Sequence, residues 1–335
     1  MSARRKTTSK RRTSKGSSKK KSAPVPAVRH LRFLVSNSAT PDTETSHFVD
    51  IAQALSVVNR RMYRQGMNYT IKKISVTSRD TTNGLVSVSA APTSWMVHAA
   101  WKQAFKLWNQ MRQGHGGAPG SGLPQGVTPA TWADFKIWLS NDHRTSGSMT
   151  PVDNGNNQAV TTDAEWQHAR YISPDGTTSA DEFEAHLLGP DVGVVGAYTS
   201  VGIVKGYGES RRTVEQDESD APINVDSWMI NLFDDGTTLD EIAQDLKDDG
   251  DFPPYQFNQY SGGGTNMPKP LVQQMKALVP NGAGASMTSS VVLGEIVAPC
   301  GLLEIEVQSG VASDIFDVLI EVAPGTSKGV KALPM

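Results

Sequence analysis

Cysteine is nearly absent: Cys300 is the only one among 335 residues. One thiol closes no intrachain disulfide, and no Cys/His set is spaced for a structural zinc, so intracellular folding is the simplest expectation. Long apolar runs are missing too. No stretch approaches the ~18 consecutive apolar residues of a membrane span, so no membrane partner is expected. Residues 1–22 hold only Met1 and Ala3 as apolar residues. That excludes the h-region of a secretory signal and argues against an amphipathic transit helix. Acid is absent from the start of the chain as well, with no Asp or Glu before Asp42.

That last absence divides the charge. Arg4, Arg5, Lys6, Lys10, Arg11, Arg12, Lys15, Lys19, Lys20, Lys21, Arg29 and Arg32 give the segment before Asp42 a charge of +12. The remaining 20 basic residues face 34 acidic ones, so the rest of the chain carries −14, which the net charge of −2 conceals. A basic tail on an acidic body points to a polyanion partner for the tail alone. Residues 1–41 therefore read as a disordered arm, because too few apolar residues are present to offset ordering costs of about 1–2 kcal/mol per residue. As a coil the arm spans roughly 35 Å, and fully extended about 130 Å. The clusters RRK, KRR and KKK suit phosphate neutralisation or a bipartite import signal read by nuclear import factors, the plain alternative being a solubilising tail. The arm carries too few aromatics to stack on bases, so contact with backbone charge is expected rather than base readout.

Catalytic patterns are also missing. There is no G-x-x-x-x-G-K-[ST], H-E-x-x-H or G-x-S-x-G, and "SGGGTNMPKP" (Ser261 to Pro270) has the wrong spacing and two prolines for a phosphate loop. The seven histidines, His30, His47, His98, His115, His143, His168 and His186, show no ligand spacing and read as surface or packing residues. No enzymatic activity, cofactor or metal is expected. The acidic run from Asp234 to Asp251 is rich enough in carboxylates for a divalent cation but lacks loop spacing, so a solvated face is the simpler reading. The acceptor-like Asn68-Tyr69-Thr70 falls within a strand pattern and is discounted.

Residues 42–335 read as a β-rich body. "NYTIKKISVTS" (Asn68 to Ser78) and "GLVSVSA" (Gly84 to Ala90) have strand composition or alternation. "EFEAHLL" (Glu182 to Leu188), Val192 to Gly208, "DSWMINLF" (Asp226 to Phe233), "SSVVLGEIVAP" (Ser289 to Pro299), "GLLEIEVQS" (Gly301 to Ser309) and "DIFDVLIEVAP" (Asp314 to Pro324) are further strand candidates. Ser46 to Val58 fits strand or helix. Helical spacing predicts a helix from Trp95 to Met111, whose rings Trp95, Trp101, Phe105 and Trp108 suit a core or an interface better than a stacking platform. A second helix is predicted from a Thr128 cap to Leu139, and a short capped one after Thr237. Glycine-rich Gly114 to Gly126 is a loop, and 141–180 and 205–225 read as polar loops. The sum is an all-β fold, a single jelly-roll antiparallel sandwich of about eight strands with helices inserted in its loops.

Two segments add a family resemblance. "SHFVDIAQALSVVNRRMYRQGMNYTIKKISV" (Ser46 to Val76) resembles the opening of capsid proteins from small circular single-stranded DNA viruses, the CRESS-DNA group. "SWMVHAAWKQAFKLWNQMR" (Ser94 to Arg112) is similar to a Trp-containing stretch of the same proteins. With the arm, the resemblance covers about the first third of the chain. It implies a capsid protein, found in the virion and in the host nucleus during assembly, that forms an icosahedral shell of about 60 copies or a multiple. The arm would face inward onto single-stranded DNA, and Arg60, Arg61 and Arg64 of "NRRMYR" would add fixed charge at the inner surface. A cellular chromatin- or ribosome-associated protein with a β-rich body, or an enzyme tethered by its tail, are the rival readings.

Overall fold

The computed structural model describes residues 26–78, 84–114, 134–153, 155–160, 166–173, 181–194, 197–210, 273–279 and 289–335. Arg4 to Lys21, the segments 226–233 and 238–249, the acidic run 234–251 and Ser261 to Pro270 lie outside the described residues.

Alternating apolar residues build the first sheet. In β1 (His30–Ser36), Leu31, Phe33 and Val35 point inward and His30, Arg32 and Leu34 outward. β1 pairs with β13 (Ile315–Val322), β13 with β3 (Met67–Ser78), and β3 with β10 (Ser289–Leu293), all antiparallel. β11 (Ile296–Pro299) and β15 (Ala332–Pro334) extend the pairing on β3. The second sheet runs β2 (Thr45–Asp50), β12 (Leu302–Ser309), β4 (Gly84–Ala90) and β9 (Gln273–Val279). The inward rows of both sheets, among them Phe33, Ile74, Val76, Val88, Ile305 and Phe316, form one buried core. The body is thus a predominantly β sandwich.

The ambiguous Ser46 to Val58 resolves into β2 followed by α1 (Ile51–Asn59). Asp50 caps the helix, its Oδ1 accepting the Gln53 amide at 3.0 Å. Between β4 and β9 lies an insertion that builds a second core together with Phe48, Cys300, Leu302 and Met335. It holds α2 (Trp95–Gly114), α3 (Asn141–Ser146), and a sheet of β5 (Arg170–Ser173), β6 (Asp181–His186), β8 (Ala197–Gly202) and β7 (Val192–Val194). α4 (Ile203–Glu209) follows β8, and β14 (Pro324–Ser327) precedes β15.

Several expectations need correction. The described residues contain fifteen strands rather than about eight, because the insertion brings a third sheet and short strands extend the first. The two sandwich sheets are antiparallel throughout, as expected, and the one parallel strand pair among the described residues, β6 with β8, lies in the insertion. The folded body starts earlier than residue 42, for β1 lies within the stretch expected to be arm. The helix predicted to Leu139 is absent from Asp134 to Leu139. That segment buries Phe135, Ile137 and Leu139, with Lys136 also buried between them, while Trp138 bridges to His186. The strand expected to Gly208 gives way at Ile203 to α4, whose Ile203 and Val204 pack into the second core. α3 lies where only loop was expected. α2 forms as predicted, and of its four rings Trp108 is buried and Trp101 packs on Phe135, whereas Trp95 and Phe105 are exposed, Phe105 still touching Phe135.

Candidate nucleic-acid interface

One end of the sandwich collects the basic side chains. α1 stops at Arg60, which takes a left-handed conformation (φ 51°) while its amide bonds to Ser56 O. The chain then turns through Arg61, Met62 and Tyr63 to Arg64, and Arg60, Arg61 and Arg64 are all exposed. Arg64 sits 3.7 Å from Asp134, a loose pair given the exposure of the arginine. The turn after β14 closes over this corner. Tyr63 Oη donates to Lys328 O at 2.9 Å, and Lys328 Nζ donates to Met62 O while lying 5.8 Å from the Tyr63 ring. Lys328 is therefore a fifth cation of this end, with Arg29, Arg60, Arg61 and Arg64. No local pattern marks it, because it lies more than 260 residues from Tyr63 in sequence.

The chain entering from the arm is tied to the same corner. Val28 N donates to Asn59 Oδ1 at 2.7 Å, and Asn59 Nδ2 donates to Val28 O at 3.0 Å. Arg29 follows; its carbonyl accepts the Val322 amide at 2.9 Å, and its Nη1 donates to Val322 O at 3.3 Å. Lys72 and Lys73 lie next along β3, sharing Glu321 at 3.0 and 3.5 Å. The opposite end, around Ser36 and Ser309, presents exposed Asp42 and Glu44 together with buried Asp314. Among the described residues the sandwich is thus polarised along its strands, basic where the arm begins and acidic at the far end.

Arg32 has a different role from the one expected. Its Nε donates to both Asp317 oxygens at 2.9 Å, and its Nη1 donates to Asp153 O at 3.0 Å and Asn157 Oδ1 at 2.7 Å. The hydrogen bond to Asp317 outweighs partial burial and holds the guanidinium above its ordinary pKa. Arg32 therefore clamps the outer face of the first sheet to the 153–157 turn. The arrangement at the basic end suits phosphates: fixed cations without an exposed aromatic platform read charge rather than bases.

A second polar constellation bolts the insertion to the sandwich. Asp50 Oδ2 accepts from Gln65 Nε2 at 2.6 Å, and Gln65 Oε1 accepts the Ile137 amide at 2.6 Å. Burial pushes the Asp50 carboxyl up to about 6, against the pull of its hydrogen bonds and of Lys136. Trp138 lies between two histidines, stacked on His168 at 3.4 Å and edge-on to His143 at 5.0 Å. His143 Nδ1 accepts the Leu139 amide at 3.0 Å, so Nε2 carries the proton and donates to Ser148 Oγ at 2.7 Å. Burial lowers both His143 and His168 to about 3. Histidines scattered in sequence are thus gathered in space, which spacing alone does not reveal. Asp50 bonds to Gln65 and His143 to Ser148, and Gln65 and His143 also hold the backbone amides of Ile137 and Leu139, which makes the cluster a structural joint.

Among the described residues no group of three or more His, Cys, Asp or Glu stands close enough to hold a metal ion. No described helix is long and apolar enough to cross a membrane. No protein-family model, curated protein or solved structure matches the chain.

Proposed function

We propose that this chain is a viral capsid protein that assembles into a closed icosahedral shell and packages single-stranded nucleic acid through its basic arm. The observation that carries the proposal is the anchoring of the arm's root, through Val28 and Asn59, at the basic end of a polarised sandwich. The arm then joins the body beside the fixed cations, and many copies on one closed surface turn weak contacts into strong retention. The resemblance to CRESS-DNA capsid proteins makes single-stranded DNA the expected cargo and the host nucleus the site of assembly.

The strand order supports a jelly roll at the centre of that shell. Leaving aside the short β11 and β15 on β3, and numbering the other eight sandwich strands β1, β2, β3, β4, β9, β10, β12 and β13 in chain order, the sheets run 1-8-3-6 and 2-7-4-5. Two interlocked Greek keys give this order, and capsids are among the proteins that use it, as are lectins and cupins. The architecture alone does not select a function; the arm and the polarity are what favour this reading.

Deletion of residues 1–25 tests the packaging role while sparing β1. Particles of the truncated chain should still form, with packaged nucleic acid reduced several-fold, as judged by their ultraviolet absorbance ratio. Unchanged nucleic-acid content overturns the assignment of the arm. The rival reading, a cellular chromatin- or ribosome-associated protein, predicts a monomer or small oligomer that binds nucleic acid without forming particles.

A further inference from the structure

The solvent side of α2 is basic and apolar at once. The helix contains no acidic residue. Lys102 and Lys106 are exposed and lie one turn apart on one face, in line with Trp95, which is 58% exposed. Phe105 stands beside them with 38% of its surface in solvent. Among the described residues neither lysine takes part in an ion pair. The other face of the helix, through Val97, Ala100, Ala104 and Trp108, is committed to the second core. Such a surface is complementary to an occupant that is acidic and amphipathic.

The chain itself contains that chemistry. From Asp234 to Asp251 eight acidic residues accompany a single lysine, Lys247. On the helix predicted after Thr237, Leu239, Ile242, Ala243 and Leu246 recur at i, i+3, i+4 and i+7 and form one apolar stripe. Asp245 and Asp249 border the stripe on one side, again one turn apart, which is the spacing of Lys102 and Lys106.

The path of the chain decides between its own segment and that of a second copy. α4 packs on α2, with Ile203 and Val204 in the core that α2 lines. The chain leaves the described residues after Ser210, at the end of α4, and re-enters them at Gln273. The stretch from Ser210 to Thr238 spans roughly 30 Å as a coil, about the length of a 20-residue helix such as α2. A segment tethered within that distance acts at an effective concentration on the order of millimolar, which favours its own chain over a neighbour.

We infer that residues 238–249 dock as an acidic amphipathic helix along the exposed face of α2 in the same chain. The aliphatic stripe lies over Phe105, and Asp245 and Asp249 reach Lys102 and Lys106. The docked segment turns the outer face of the insertion from basic to acidic. This contact is independent of the shell reading and goes beyond it.

The test is a charge swap in the full chain, read by hydrogen exchange at the amides of 239–249, with thermal midpoints confirming that each variant is folded. Lys102→Glu with Lys106→Glu should speed exchange there roughly tenfold or more, through like-charge contact with the docked carboxylates. Adding Asp245→Lys with Asp249→Lys to that variant should restore the protection. Equal exchange in the wild-type and reversed chains, or no restoration by the swap, overturns the docking. Carbodiimide crosslinking of an equal mixture of ¹⁵N-labelled and unlabelled wild-type chains identifies the chain that supplies the segment. Links from Lys102 or Lys106 to Asp245 or Asp249 should join peptides of the same isotope; links joining the two isotopes overturn docking within one chain.

Discussion

Asn59 grips Val28 on both backbone groups, accepting from its amide at 2.7 Å and donating to its carbonyl at 3.0 Å. The last residue of α1 thereby fixes where the arm leaves the body, beside Arg60 and Arg61. Asn59→Ala should free that root at a cost of about 1 kcal/mol. Faster hydrogen exchange at residues 26–29, with the core amides of β3 and β13 unchanged, is the expected readout; unaltered exchange there contradicts the anchor.

Arg32 and the corner cations should separate cleanly. Arg32→Ala strands the Asp317 carboxylate on a partly covered sheet face, with an expected loss of about 1–3 kcal/mol, within the range for breaking a hydrogen-bonded charge pair. Nucleic-acid content per particle should not change. Arg60→Glu with Arg61→Glu should do the reverse, leaving the thermal midpoint within about 0.5 kcal/mol while weakening nucleic-acid binding and flattening its salt dependence. Salt titrations of binding beside thermal melts distinguish the two.

The bolt between sandwich and insertion makes the fold acid-labile. His143 and His168 have folded-state values lowered to about 3 from 6.5, so their contribution is complete above pH 6.5 and is lost as the pH falls toward 3. Protonating His143 at Nδ1 also breaks its bond from the Leu139 amide. Asp50 acts oppositely: its value is raised to about 6, so its contribution is complete below 3.8 and is lost as the pH rises through 6. Between pH 7 and 5 the two histidines lose on the order of 4 kcal/mol and Asp50 regains on the order of 1, at about 1.4 kcal/mol per unit. The thermal midpoint should therefore fall over this interval, and His143→Gln should flatten the fall; a midpoint that rises toward pH 5 contradicts the account.

Gly66 lies beneath the Trp101 indole, and a Cβ there would stand 2.5 Å from its Cη2. Gly66→Ala must displace the ring that links α2 to the 64–67 segment, so a loss of about 1–3 kcal/mol is expected. Chemical denaturation followed by tryptophan fluorescence measures it; a neutral substitution means that α2 is not seated on this turn.

Strands with regular alternation were legible in the sequence. Val86 and Val88 against Ser87 and Ser89 mark β4, and Val318 and Ile320 against Asp317 and Leu319 mark β13. The same alternation exists in β1, but Arg29 and Arg32 drew that segment into the basic arm. Its register against β13 gives Arg29 the Val322 carbonyl and Arg32 the Asp317 carboxylate, partners nearly 300 residues away that composition does not disclose. Phe135, Ile137 and Leu139 carry a period of two that the Thr128-Pro129 start signal obscured. At the candidate interface, Arg60, Arg61 and Arg64 were visible as a cluster, whereas Lys328 joins them only through the turn between β14 and β15. Polarity along the sandwich depends on which loops share an end, and that follows from topology.

Sedimentation velocity of the purified full-length chain, with absorbance read at 260 and 280 nm, tests the central claim most directly. The account predicts a megadalton boundary that carries nucleic acid. A chain that sediments as a monomer or dimer, at low salt and with nucleic acid present, contradicts it.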